Sequence, residues 1–143
     1  MSKFNFLPGI SATGVAFEIF GRNERVLLEN AAQVLIGVII DPKAVRNRAK
    51  ELVNLRKISF EELFLGLLTH LIFLRKGRNF IAKEVKVGVT HEDSSWSAQG
   101  YVYGEKFDPL HHKLKMEIES FNINLLNLAK VNKAWRAQVV FEG

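Results

Sequence analysis

The side chains in this chain best suited to chemistry are four histidines, fifteen carboxylates and the closing Glu142-Gly143 pair. Their spacing restricts what they could do. His111 and His112 are adjacent, so on any regular element they point in different directions, and neither is followed four residues later by the second histidine or carboxylate of a helical metal site. Asp108 lies close in sequence and leaves two readings open: a metal or acid/base role for this loop, or a histidine bonded to backbone. His70 falls inside an apolar helical pattern as a core or boundary imidazole, and His91-Glu-Asp93 reads as a hairpin turn. Glu142 and the chain-terminal carboxylate of Gly143 are neighbouring oxygen donors that a hard cation, calcium or magnesium, could use if a third came from elsewhere in the fold. A solvated chain end is the other reading of that pair.

Several kinds of chemistry are excluded outright. With no cysteine there is no thiolate nucleophile, no thiolate metal ligand and no disulfide framework. The glycine spacings of a hydrolase nucleophile elbow, a Walker phosphate loop and a dinucleotide turn are all missing, and no triad or cofactor motif supports a small-molecule enzyme. Lys+Arg 20 against Asp+Glu 15 gives a formal charge of +5, which permits phosphate contact but spreads thinly over a whole domain. The densest cation run is Arg46, Arg48, Lys50, Arg56 and Lys57, and a basic RNA-binding module would use it. Trp96 and Trp135 sit in alternating segments and read as packing residues; base stacking would need them exposed beside that run.

The elements that must position these residues follow from patterning. At 143 residues and 48% apolar content, one domain spanning 1–143 with a real core is expected. Val15 to Phe20 is a β-favouring segment ended by Gly21, and Asn23 offers a side-chain acceptor to a helix whose apolar stripe runs from Val26 to Val38 until Asp41-Pro42 closes it. Residues 45–58 fit neither period cleanly and are assigned as an exposed strand. Ser59-Phe-Glu-Glu62 is a capping box opening a Leu-rich helix that stops at Gly77, with Arg75 and Lys76 in its last turn. Four β-like stretches follow: 80–90, 96–103, 116–128 and 134–141. The order predicts an α+β fold, two helices packed on one face of a largely antiparallel β-sheet, with 104–112 as the longest loop. The longest apolar run, Leu63 to Leu74, is interrupted by Gly66, Thr69 and His70 and falls short of the ~20 residues of a membrane span. The amino-terminal residues lack the apolar stretch of a secretory signal, so a soluble, cytoplasmic protein is expected, without membrane contact.

Along almost its whole length the chain resembles the archease family, small proteins that assist the RtcB-type RNA ligase of tRNA splicing and RNA repair. The resemblance runs through Phe20-Gly21 and Leu28-Glu-Asn-Ala-Ala32, through Phe60-Glu-Glu-Leu63, and through Gly104-Glu-Lys-Phe-Asp-Pro109 with His112. It ends with Glu117-Ile118 and Trp135 to Phe141. It implies a chaperone-like protein cofactor, not itself an enzyme, with the ligase as partner and RNA met indirectly or weakly. The departures fall on polar positions. The family's Asp-His-Thr-Ala-Asp-Ile-Gly motif is here Pro8-Gly-Ile-Ser-Ala-Thr-Gly14, which puts Ala12 where the family has a metal-binding aspartate. The partner aspartate falls on Glu142, and the usual lysine and histidine after Glu-Ile become Glu119 and Asn124. By the resemblance, then, any divalent cation rests on Glu142 and Gly143, with Ser11 and Thr13 as neutral donors and His112 and Asp108 shaping the loop. Such a site binds in the millimolar range. The alternative is the same scaffold turned to a new task, as a basic RNA- or protein-binding module.

Overall fold

The computed structural model describes residues 3–7, 14–123 and 128–143. Strand β1 (Phe4–Leu7) pairs antiparallel with β2 (Gly14–Gly21), and the chain then turns straight into α1 (Glu24–Ile39). That turn is built as the spacing predicts. The Asn23 side chain accepts a hydrogen bond from the Val26 amide at 2.9 Å, satisfying one of the free donors of the first helical turn. Gly21 is required because a Cβ there would lie 2.3 Å from the backbone nitrogen of Leu27, so strand and helix can meet this closely only without a side chain. Asp41-Pro42 closes α1 and leads through a short 3-10 turn (Pro42–Ala44) to β3 (Ala49–Lys57). The expected strand over 45–58 is present as Ala49–Lys57, whereas 45–48, with Arg46 and Arg48, lie before it outside the strand. Its ambiguity has a cause: Val53 is buried while Lys57 lies half-buried against Gly66 of the second helix, so a charged residue occupies an inward position.

Helix α2 (Phe60–Gly77) starts on the Ser59 hydroxyl, which accepts from the Glu62 amide at 3.1 Å. It buries Leu63, Phe64, Leu67, Leu68, Leu71 and Leu74. Strands β4 (Phe80–Glu92) and β5 (Ser95–Lys106) form a long hairpin whose turn holds Asp93 at φ 53, where a short polar residue is tolerated. The remaining strands are β6 (Ser120–Ile123), β7 (Ala129–Val131) and β8 (Ala134–Glu142).

The class is α+β with antiparallel pairing throughout, but the strands form two sheets where the sequence suggested one. One sheet runs β1-β2-β8-β6 with β7 also paired to β8; the other runs β3-β5-β4. Helix α1 packs against both sheets, and α2 against α1 and the three-stranded sheet. Two local expectations are corrected. Strand β1 was not anticipated; Phe4 and Phe6 anchor it on the ring of Phe17. Among the described residues of the stretch 116–128, strand is confined to Ser120–Ile123. Upstream, the alternation has another origin: Ile118 is buried in the core while Glu117 turns out to Arg75, and the backbone is held by single bonds, Lys115 N–H to the Ile39 carbonyl and Glu119 N–H to the Glu142 carbonyl. Among the described residues no helix is long and apolar enough to cross a membrane.

Candidate functional site

Two polar corners collect the candidate residues. The first lies at the end of β5, where Glu105 is 5% exposed. Its carboxylate accepts the Arg46 backbone N–H at 2.7 Å, the Arg46 Nε–H at 3.1 Å and the His112 Nε2–H at 2.9 Å. His112 is itself buried, and its Nδ1 accepts the Asp108 amide at 2.9 Å, which fixes the ring proton on Nε2. Burial pushes the Glu105 carboxyl up, but the Arg46 amide, the His112 bond and the Arg46 charge outweigh it and hold the group at about 2, against an ordinary 4.5. The ring of His112 stacks on Phe107 at 5.8 Å, and the Arg75 guanidinium lies 4.0 Å from the centre of the same Phe107 ring.

Of the two readings of His112, the structure has the backbone-bonded one, with a buried carboxylate added. Asp108 contributes through its backbone, bonding His111 and His112, and through an Oδ1 that accepts the Leu110 amide. The ligating atoms of Glu105, His111 and His112 all fall within 4.8 Å of one another. However, both Glu105 oxygens and both His112 nitrogens are already bonded within the protein, so a cation would have to break a complete network. Glu105 was not singled out from the sequence, and Arg46 only as a member of the cation run. The available signal was the Gly104-Glu…His112 spacing, since a carboxylate and an imidazole seven residues apart can meet across a turn.

The second corner is the end of β8. Glu142 stands opposite Gly14 of β2 on one side and Ser120 of β6 on the other. Gly143 lies against the Glu117 carbonyl, which a Cβ on it would approach to 2.7 Å. Glu117 is bound to Arg75 at 2.7 Å, and Glu119 forms an ion pair with Lys76, so each of these glutamates has a cation of its own. The Glu142 side chain makes no hydrogen bond or ion pair among the described residues, and the set of His and Glu side chains close enough to hold an ion among those residues does not include it. One unpaired carboxylate is far from the six to eight oxygens of a full calcium shell. Ser11, Ala12, Thr13 and Asn124 lie outside the described residues.

The cation run is divided between two environments. Arg46 is tied to Glu105 and Lys57 turns towards α2, while Arg48, Lys50 and Arg56 stay exposed. Trp96 and Trp135 are packing residues, at 5.3 and 4.7 Å from the Phe60 ring, with His91 covering Trp96 at 3.8 Å.

The chain matches the archease protein family (MTH1598/TM1083) over residues 11–142. It is 29% identical over 141 residues to the protein archease of Methanosarcina mazei, covering 98% of this chain and 95% of that one. To the protein archease of Methanosarcina barkeri it is 27% identical over 129 residues, 90% of this chain and 88% of that one. The fold is that of the solution structure of Methanobacterium thermoautotrophicum protein 1598, with a TM-score of 0.83, 19% identity and full coverage of both chains.

Proposed function

The chain belongs to the archease family, and on that footing we propose that it is a cytoplasmic, non-catalytic protein cofactor of an RtcB-type RNA ligase in tRNA splicing or RNA repair. The observation that supports this reading is the corner at the end of β8. Glu142 is held between β2 and β6 with a carboxylate that has no partner among the described residues, while the neighbouring Glu117 and Glu119 are committed to Arg75 and Lys76. The sheet end thus presents an acidic group, unpartnered among the described residues, beside the strand that follows the divergent amino-terminal motif. In this reading the corner docks at the ligase and helps place a divalent cation or nucleotide in the ligase's own active site. Glu142, with an oxygen of Gly143, is the part of this chain that would hold the ion, weakly and in exchange with the partner. When bound, calcium or magnesium supplies the positive charge that nucleotide phosphates need. The Glu105-Arg46-His112 network keeps the loop after β5 in one conformation.

The test is ligase guanylation and multiple turnover with purified ligase, with and without this protein. Stimulation at substoichiometric ratios is expected, and Glu142→Ala is expected to reduce it roughly tenfold, the scale on which removing a metal-orienting group acts. No stimulation at any ratio overturns the proposal.

A further inference from the structure

The three-stranded sheet has one face that the helices leave open. Strand register lays its residues out in cross-strand rows: Lys50, Tyr103 and Glu84; Leu52, Tyr101 and Lys86; Asn54, Gln99 and Gly88; Arg56, Ser97 and Thr90. Lys50, Leu52, Asn54, Arg56, Lys86 and Gln99 are exposed, and the two tyrosines are half-buried, so their rings lie on the surface. Those rings are 6.1 Å apart, and Lys50 Nζ stands 4.3 Å over the Tyr101 ring. The face carries Lys50, Arg56 and Lys86 against Glu84, with Glu92 on the same side of β4 beyond Thr90, and Arg48 extends the same side of β3 beyond Lys50. Lys50, Lys86 and Arg48 form no ion pair among the described residues. Beyond the tyrosines, at the start of β3 and the end of β5, Arg46, Arg48 and Lys106 line an open cavity of about 540 Å³.

From this we infer that the open face of the β3-β5-β4 sheet binds single-stranded nucleic acid. The chemistry is that of a stacking platform: two neighbouring tyrosine rings accept base faces, free lysines and arginines on both sides neutralise phosphates, and Asn54 and Gln99 offer amide groups to base or sugar edges. Lys50 now covers one ring by a cation–π contact and would move to a phosphate as a base takes its place. A duplex does not fit this surface, because its base faces are already stacked. An acidic peptide would satisfy the cations but leaves the adjoining rings without a role.

Binding is measured by fluorescence anisotropy with an unstructured RNA oligomer of about 12 nucleotides and the full chain, with no ligase present, so the outcome is independent of the proposed partner. Saturable binding is expected at low salt. With about three phosphates neutralised, affinity should fall roughly twentyfold between 50 and 200 mM salt. Tyr101→Ala with Tyr103→Ala should weaken binding about tenfold or more. Lys50→Glu with Lys86→Glu alters only exposed side chains and should weaken it at least as much, with thermal unfolding unchanged. A DNA strand of the same sequence should bind comparably. Absence of binding at 50 mM salt, equal affinity for the duplex, or wild-type affinity in either double variant would each refute the inference.

Discussion

Glu105 carries three hydrogen bonds on one carboxylate, and that is a dangerous position for an acid. A buried carboxylate is tolerable only while each donor stays in place, because its loss would strand the Arg46 amide and the His112 Nε2–H away from water. Glu105→Gln, which replaces one acceptor oxygen with a donor aimed at existing donors, is therefore expected to cost about 3 kcal/mol, read as a shift in the denaturant midpoint. The pH dependence follows from the same residue. Its folded value of about 2 lies below its ordinary 4.5, so its contribution to stability is fully present above 4.5 and is lost as pH falls from there towards 2. Midpoints measured between pH 6 and pH 2.5 should fall in the native protein and fall less in Glu105→Gln; parallel curves would mean the carboxylate contributes nothing. This network was only half legible in the sequence. His112 and Asp108 could be flagged as loop residues with chemistry, whereas Arg46 lies 59 residues from Glu105 and no local pattern links them.

Capping and periodicity act over a few residues, and elements governed by them were readable. Asn23 and Ser59 start their helices on the amides of Val26 and Glu62, as side chains with free acceptors should. The reciprocal half of the capping box is not made: Glu62 instead lines a groove with Leu55 and Phe73. Where a segment's form is set by a distant neighbour, the local pattern misleads. Residues 116–119 alternate like a strand because Ile118 faces the core and Glu117 faces Arg75, yet no ladder partner runs beside them. Gly21 shows the reverse case, a local signal with a tertiary reason. It reads as the end of a strand, and its indispensable feature is the close passage of α1 across β2. Gly21→Ala should cost about 2 kcal/mol, since the new methyl meets backbone rather than a flexible side-chain end. A thermal midpoint unchanged from the native protein would show that the helix can move away freely.

How two sheets behave as one molecule depends on α1, and here adjacent residues divide the task. Asn30 donates through Nδ2 to the Phe20 carbonyl of β2 at 2.7 Å, and Glu29 accepts the Val87 amide of β4 at 3.0 Å while pairing with Arg25. One turn of helix thereby holds a strand from each sheet, and on β4 it satisfies a donor on the open edge of the three-stranded sheet. The sequence displayed Leu28-Glu-Asn-Ala-Ala32 as a motif, but nothing in it distinguished two sheets from one, because sheet membership is settled by pairings far apart in the chain, such as Gly14 with Glu142. If α1 makes the sheets one cooperative unit, Asn30→Ala, which leaves the Phe20 carbonyl without its partner, should lower stability by about 1 to 2 kcal/mol everywhere at once. Native-state hydrogen exchange reads this directly. The slowest amides of β2 and β8 and those of β3, β4 and β5 should lose protection by the same factor, although Asn30 touches only the first sheet. Glu29→Ala should act symmetrically from the other side, with an added local loss at Val87. Protection that fell in β2 and β8 alone, with β3 to β5 unchanged, would mean that the two sheets unfold separately and that α1 is cargo of one of them.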